Sequence, residues 1–379
     1  MEQDLNFSKK ESARFKMNIY RGYFNALQRD NITKIKKSIL NNDVDTAIFR
    51  IPTEELQYIS KLDNIGFPYI VADTLVYYYV DFKKSTIHNI KNENLEFVRI
   101  NESDIELLNL LVDDIFVEYN NHYSSNPYFS TDNIIEGYKE WARGLIDENE
   151  GKIGWFVKKN NENIGFATCS YDSNENISEG VLYGVKPSAS GGGIYSDIIR
   201  FTQKYFEKLN ITQMKVSTQI QNYAVQKVWS REGFVLKQSF NTIHINSLLN
   251  MSKIPKKEMD ICITKKEIED YGRVSGDIND IHFNDNYAKS LGLNGRIAHG
   301  LISNAILSKY YGTTYPGKGT FFLSYKYIFY KPIYPDVTYK VIISFPYYNP
   351  NNNRYLSIAK IIDSDSNLCL ISYNELIKK

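Results

Sequence analysis

Two short stretches carry residues whose types and spacing suit chemistry. In SGDINDIH, residues 275–282, Asp277 and His282 stand five positions apart in a loop that Gly276 allows to turn sharply. Such a loop can aim a carboxylate and an imidazole at one water molecule. One group takes a proton while the other helps to deliver one, as hydration of a conjugated thioester requires. Imidazole suits this chemistry because its pKa lies near the operating pH. A loop that only caps a helix uses the same residue types, so the pair by itself leaves both readings open.

The second stretch, KPSASGGGIYSD at residues 186–197, reads as a turn with three glycines opening onto a helix. Unpaired N–H groups at a helix start favour an anion, and glycines let a phosphate approach without a Cβ in the way. The spacing is neither a Walker loop, since no G-K-[ST] follows, nor the G-x-G-x-x-G of a dinucleotide fold. A flexible capping turn is the plainer alternative.

Elements must hold these stretches in place. Over residues 96–250 strand and helix patterns alternate. LEFVRI, IGWFVKK, ENIGFATCSYD, SEGVLYGV, QMKVSTQI and FVLKQSF with TIHINS read as strands. ESDIELLNLLVDDIFVEY, SDIIRFTQKYFEKLN and AVQKVWSRE read as helices. This predicts a mixed α/β sheet with the glycines at a strand-to-helix junction. Residues 1–95 add helix (NITKIKKSILNN, EELQYISKLDNIG) and strand (TAIFRI, VADTLVYYYVDF) to it. The lysine-rich SLLNMSKIPKKEMD changes the pattern, and a linker is expected at 251–258. Residues 259–379 then run through three helices and four strand candidates, an α+β arrangement.

Composition narrows the function classes. The formal net charge of +1 argues against nucleic acid as the main partner. Residues 253–379 carry 17 Lys+Arg against 12 Asp+Glu, which suits a phosphate-bearing ligand or a solvated surface. The most hydrophobic run, IGFPYIVADTLVYYYVDF, is interrupted by Pro68, Asp73 and Asp81, so no membrane span is expected. Cys169, Cys262 and Cys369 form no metal-ligand spacing. A reducing cytoplasm, no metal and no covalently bound cofactor are therefore expected.

With its downstream context, the glycine stretch resembles the GNAT acyltransferase superfamily. That family binds the CoA pyrophosphate at R/Q-x-x-G-x-G/A and carries N-x-x-A/V-x-x-x-Y/W-x-x-x-G-F on a later helix. Ser190, Gly191, Gly192, Gly193, Ile194 and Tyr195 match the first motif; Asn222, Val225, Trp229, Gly233 and Phe234 match the second. Ser190 stands where relatives have Arg or Gln, and Trp229 stands where many have a Tyr that protonates the leaving thiolate. Tyr223 is the substitute nearest in sequence. The first 250 residues look most like two-part amino-sugar N-acyltransferases of the TDP-fucosamine acetyltransferase type, on IFRIPTEELQYISKLDNIGFPYIVADTLVYYYVDF and NHYSSNPYFSTDNIIEGYKEWARG as well. The resemblance implies a CoA site at Ser190–Tyr195 and Asn222. It also implies direct attack of a sugar amine on the thioester, with His122 and Tyr123 lining the acceptor site.

The Asp–His loop, continued by AHGLISNAILS and PGKGTFFLSYKYIFYKPIYPDV, resembles the MaoC-like (R)-specific enoyl-CoA hydratases of the hotdog fold. Ser275, Gly276, Asp277, Asn279, His282, Ala298, His299 and Gly300 match their signature, with Asp280 in place of the family's proline. The resemblance implies that Asp277 and His282 share the water chemistry and that Asn279 contacts substrate. It further implies that the Gly300 N–H binds the thioester oxygen, that Ser308 holds the loop or Asp277, and that His299 is structural. Hotdog domains of this kind pair through their sheets, so a homodimer is expected. The joined expectation is that crotonyl-CoA is hydrated and the 3-hydroxybutyryl group passes to a nucleotide-linked amino sugar. The alternatives are acetyl-CoA as donor with an independent or non-catalytic hotdog domain, or a hydratase carrying a GNAT-like scaffold.

Overall fold

Asn160 and Asn161 both take positive φ, 51° and 64°, and so form the tight turn that folds β6 (Lys152–Lys159) back onto β7 (Glu162–Asp172). This hairpin lies in the larger of two sheets of a computed structural model that describes residues 5–23, 31–147 and 150–379. The chain divides into two units, Met1–Ser247 and Leu248–Lys379.

The first unit is built on a mixed sheet of ten strands. From one edge it runs β1 (Asn6–Phe7), β2 (Ile19–Tyr23), β3 (Thr46–Pro52), β10 (Val235–Asn246), β4 (Tyr69–Asp81), β9 (Gln213–Gln219) and β8 (Ile177–Val185), ending in β7, β6 and β5 (Leu95–Arg99). The last strand in sequence, β10, inserts between β3 and β4. Residues 1–95 and 96–250 therefore share one sheet. The regions read as FVLKQSF and TIHINS form a single strand that pairs with β4 across register shifts.

β8 and β9 pair in parallel only from Ile177↔Gln213 to Gly180↔Val216. Beyond that point β8 follows β7 and β9 follows β4, so a wedge opens between them. Helix α5 (Ile194–Lys208) packs Ile194, Ile198, Ile199 and Phe206 into a core with Trp155, Met214, Val216, Trp229 and Phe234. Buried charge also ties the helices together. Arg200 on α5 bonds Glu232, just past α6 (Tyr223–Arg231), through Nε at 2.8 Å and Nη2 at 2.6 Å, and it bonds Asp197 at 2.8 Å. Helices α3 (Ile105–Phe116) and α4 (Thr131–Arg143) pack against each other beside the wedge.

The second unit has a five-stranded antiparallel sheet ordered β11 (Lys257–Cys262), β13 (Thr338–Asn349), β14 (Arg354–Ile362), β15 (Leu368–Lys378) and β12 (Thr320–Phe329). It packs on the central helix α9 (Ile302–Thr313) through Leu307, Tyr311, Val341, Phe345 and Leu376. The stretch 251–258 is not a free linker. The Lys253 N–H donates to the Phe345 carbonyl at 2.8 Å, the Phe345 N–H donates to Ser252 Oγ at 3.0 Å, and β11 starts at Lys257. Of its lysines, Lys257 opens the exposed edge strand β11, where charge guards against pairing with other chains.

Candidate functional site

Helix α7 (Lys265–Ser275) ends at Gly276, whose φ of 76° starts the Asp–His loop. The Asp277 carboxylate accepts the Asn279 N–H at Oδ1, 3.3 Å away. Its Oδ2 lies 3.9 Å from His282 Nε2 and 4.0 Å from His299 Nε2. The gap to His282 is beyond a direct hydrogen bond, and both groups face a spot that one water molecule can share. His282 Nδ1 meets the Ile297 carbonyl at 2.9 Å; that nitrogen therefore carries the proton, and Nε2 is left as an acceptor. Burial first, and then the neighbouring His299, lower the pKa of His282, so its imidazole is held neutral. The ring of His299 stacks on His282 at 3.9 Å, and its Nε2 donates to the Asp277 backbone carbonyl at 3.0 Å. Donor atoms of Asp277, His282 and His299 lie within 4.8 Å of one another, close enough to hold a metal ion. The bond from His299 Nε2 occupies one of those atoms.

Gly300 stands two residues before α9, and its N–H has no hydrogen-bond acceptor among the described residues. A Cβ at this position would lie 2.9 Å from Phe329 Cζ, so glycine lets the Phe329 ring approach closely. Asp277 and His282 thus flank a place where water can be activated, and the Gly300 N–H, next in sequence to His299, is free to bind an oxyanion. Asn279 acts on the loop itself, where its Oδ1 caps the turn by accepting the Ile281 N–H at 3.2 Å. Ser308 does not join the group. It is exposed on α9 and bonds neither the loop nor Asp277, whereas Ser303, one turn into the helix, is buried with an unpaired hydroxyl.

In the first unit, the wedge between β8 and β9 opens into a cavity of about 660 Å³. At one side lies the glycine loop. Gly191, Gly192 and Gly193 all take positive φ, between 55° and 91°, and no atom lies within 4 Å of where a Cβ would stand at Gly191 or Gly192. No side chain caps the start of α5; the Ile194 N–H donates to the Gly191 carbonyl at 3.4 Å, and the Tyr195 and Ser196 N–H groups have no acceptor among the described residues. Asn92 fastens the loop by donating to the Gly192 carbonyl at 3.0 Å and to Asp197 at 2.7 Å. Burial raises the Asp197 pKa, but bonds from Asn92, Lys91 and Arg200 outweigh it and keep the group ionised. Ser190 turns its hydroxyl onto the Pro187 carbonyl at 2.8 Å. Tyr195, Asn222, Val225 and Trp229 line the cavity, and Asn222 Nδ2 donates to Thr218 Oγ1 at 3.1 Å. Tyr223 is 65% exposed and lies outside the cavity lining.

At the other side His122 and Tyr123 line the same cavity, together with residues that local sequence patterns did not single out: Glu11, Arg21, Arg50 and Tyr119. Arg21 bonds Glu11 through Nε at 2.5 Å and Nη2 at 2.7 Å, and the Tyr123 hydroxyl bridges both. Burial pushes the Glu11 carboxyl up, but Arg21, Ser8 and Tyr123 hold it down at about 2. Arg50, Thr242 and Asp73 form one rung across β3, β10 and β4. Arg50 Nε, Thr242 Oγ1 and both Asp73 carboxylate oxygens are buried, and among the described residues none has a partner at hydrogen-bonding geometry. The only sequence signal for these residues is a polar side chain inside an otherwise apolar strand, as with Arg50 in TAIFRIP.

Comparison with known proteins agrees with this division. The profile of the acetyltransferase (GNAT) family matches residues 111–234, and that of the MaoC like domain matches residues 249–346. A 3-hydroxybutyryl-CoA dehydratase of Methylorubrum extorquens is 31% identical over 85 residues, 22% of this chain and 52% of the relative. The chain thus spans about half the length of that curated relative. Among solved structures, an unliganded R-hydratase from Pseudomonas aeruginosa is 26% identical with a TM-score of 0.31, over 35% of this chain and 83% of that one. A GCN5-related N-acetyltransferase from Sphaerobacter thermophilus is 9% identical with a TM-score of 0.45, over 63% of this chain and 74% of that one. No helix among the described residues is long and apolar enough to cross a membrane. One profile falls within each unit, so this chain joins a GNAT acetyltransferase domain to a C-terminal MaoC-like hotdog domain.

Proposed function

We propose that the chain is a bifunctional enzyme of acyl-CoA metabolism. The C-terminal domain hydrates a short trans-2-enoyl-CoA such as crotonyl-CoA to the (R)-3-hydroxyacyl-CoA. The N-terminal domain passes that acyl group to the amine of a nucleotide-linked amino-dideoxy sugar for a surface polysaccharide. The observation that carries this is the locked His282: with Nδ1 bound to a carbonyl, its bare Nε2 and the Asp277 carboxylate share one water position.

In the hydration step, water loses a proton to this pair and its oxygen bonds C3. The electron pair of the C2–C3 double bond moves toward the thioester oxygen, which the Gly300 N–H stabilises, and C2 receives the proton. The name of the Methylorubrum relative, a four-carbon 3-hydroxyacyl-CoA dehydratase, supports a short acyl chain. So does Phe329, whose ring lies against Gly300. In the transfer step, the open glycine loop and start of α5 hold the CoA phosphates. The wedge admits the thioester, and the polar end around His122 and Tyr123 receives the sugar. The amine attacks the thioester carbonyl, an amide forms, and the C–S bond breaks to release CoA. Asn222, on the wedge wall, bonds to Thr218 and serves the CoA side.

The second unit pairs with a copy of itself in this proposal. β12 is an edge strand, and Phe321, Leu323, Tyr325 and Phe329 along it are 45–55% exposed. The cytoplasm, where both CoA and nucleotide sugars are made available to enzymes, is the proposed location. Incubation with crotonyl-CoA and a TDP-linked amino-dideoxyhexose tests the whole reading. The expected product is the N-(3-hydroxybutyryl) sugar by mass spectrometry. Hydration without transfer confines the function to the hotdog domain; transfer only from acetyl-CoA uncouples the two.

A further inference from the structure

A buried chain of hydrogen bonds ends at the cavity beside Tyr123. The Tyr128 N–H donates to Asn126 Oδ1 at 3.1 Å and so decides which way the Asn126 amide faces. Its Nδ2 then spends both protons, one on His244 Nδ1 at 3.0 Å and one on Asn246 Oδ1 at 2.9 Å. Asn246 Oδ1 also accepts from Thr46 Oγ1 at 3.2 Å. An imidazole nitrogen that accepts carries no proton, so neutral His244 bears its proton on Nε2. That proton goes to His122 Nδ1 at 2.8 Å, and neutral His122 in turn bears its own on Nε2. The latter atom has no partner among the described residues, is not sealed from solvent, and belongs to a side chain that lines the cavity. Thr46, Asn126, His244 and Asn246 are each at most 3% exposed. Burial, reinforced by nearby His and Arg groups, keeps both imidazoles neutral.

From this chain we infer that His122 is a fixed hydrogen-bond donor that binds an oxygen of the acceptor, and that Asn126 and His244 are positioning residues that hold it so. The inference rests on the acyl-transfer reading above and sharpens its substrate class: an amine carrying a hydroxyl or ring oxygen within reach of His122. It also takes the role of general base away from His122. A lone pair at Nε2 would require both imidazoles and the Asn126 amide to reverse, turning Nδ2 against the Tyr128 N–H. Arg50, whose Nη1 donates to the Tyr77 hydroxyl at 2.8 Å, lines the same cavity.

The chain has five histidines, so imidazole nitrogen NMR on the full-length, ¹⁵N-histidine-labelled protein can assign each state. The expected spectrum has a protonated Nε2 and a bare Nδ1 on His122, and the Nε2 signal moves when a TDP-linked amino-dideoxyhexose is added. Asn126→Asp replaces the donor facing His244 with an acceptor and is expected to bare His122 Nε2. His122→Ala is expected to raise the acceptor KM about tenfold, the worth of one hydrogen bond, with the acyl-CoA KM unchanged. His122→Gln, whose amide nitrogen can donate from the same place, is expected to recover most of that loss. A bare His122 Nε2 in the wild type overturns the inference, and so does an unchanged acceptor KM in His122→Ala. Should Asn126→Asp fail to fold, the wild-type spectrum and the Ala/Gln pair still decide. If the wild type transfers nothing to this acceptor, the amino-sugar reading fails, and the spectrum judges the hydrogen-bond chain on its own.

Discussion

The two candidate sites are built in opposite ways. In the hotdog domain the candidate residues sit in one loop and just before one helix, residues 277–300, and the Asp277 side chain is half exposed. In the GNAT domain the cavity wall is drawn from Ser8 to Trp229, and its polar groups are sunk behind it in paired networks. A loop site needs only local turn chemistry and one buried partner, here the Ile297 carbonyl, to fix a tautomer. A cavity site needs the whole sheet to be formed before its groups meet. The first should therefore fail through single residues, and the second through the frame that assembles it.

The largest effect expected from this contrast is in the loop. Asp277→Asn keeps the shape but removes the carboxylate, and it is expected to slow hydration of crotonyl-CoA about 10²–10⁴-fold, the usual worth of a general base. Decay of the enoyl-thioester absorbance measures it. Transfer from preformed 3-hydroxybutyryl-CoA should be unchanged, and a matching loss there would break the separation of the two sites.

Next comes the frame of the cavity. Arg200 is held by Glu232 and Asp197, with side-chain exposures of 8%, 2% and 0%. Glu232→Ala leaves a buried guanidinium short of its main partner. The expected cost is about 3–5 kcal/mol, seen as an earlier thermal transition of the first unit. Because α5 also carries the glycine loop, acyl transfer should be lost at a temperature where hydration persists.

A smaller effect is expected at Gly192. Its φ of 55° is uncomfortable for a β-branched residue, by about 1–2 kcal/mol, and the space a side chain would fill is where the CoA phosphates would lie. Gly192→Val is expected to weaken acyl-CoA binding at the glycine loop about tenfold or more, measured as the rise in the acyl-CoA KM of transfer. An unaltered KM would move the phosphate site away from the loop.

The same contrast explains what could be read from the residues in order. SGDINDIH and the glycine stretch are contiguous, so turn chemistry and helix-start physics identify them one stretch at a time. Arg50, Asp73, His244 and Asn126 meet only because β10 inserts between β3 and β4, a pairing between residues nearly 200 positions apart. Nothing local announces such a rung except a polar residue in an apolar strand. Ser308 shows the converse failure. Its place in a motif suggested a role, but the turn of α9 puts it on the exposed side, and the buried hydroxyl belongs to Ser303.

Acid should separate the two regions most gently. His244 is fully buried with its pKa lowered from 6.5 to about 3, chiefly by burial, and His122 is lowered as well. Above pH 6.5 these groups are neutral whether the chain is folded or not, and they add no pH dependence. Between pH 6.5 and 3 the unfolded chain binds protons that the folded one refuses, so stability falls as the pH falls. From pH 6.5 to 5 His244 alone should cost about 2 kcal/mol, at roughly 1.4 kcal/mol for each pH unit. Glu11, held at about 2, adds its loss only below its ordinary value of 4.5, so it does not contribute between pH 6.5 and 5. The thermal midpoint of the first unit should therefore drop over pH 6.5–5, and drop less in His244→Gln. His282, whose pKa is lowered chiefly by burial, should let hydration continue below pH 6.5 before its acid limb appears. A transferase unit whose midpoint stays flat across that window would mean that the His122–His244 pair is not held neutral, and the cavity would lose its fixed donor.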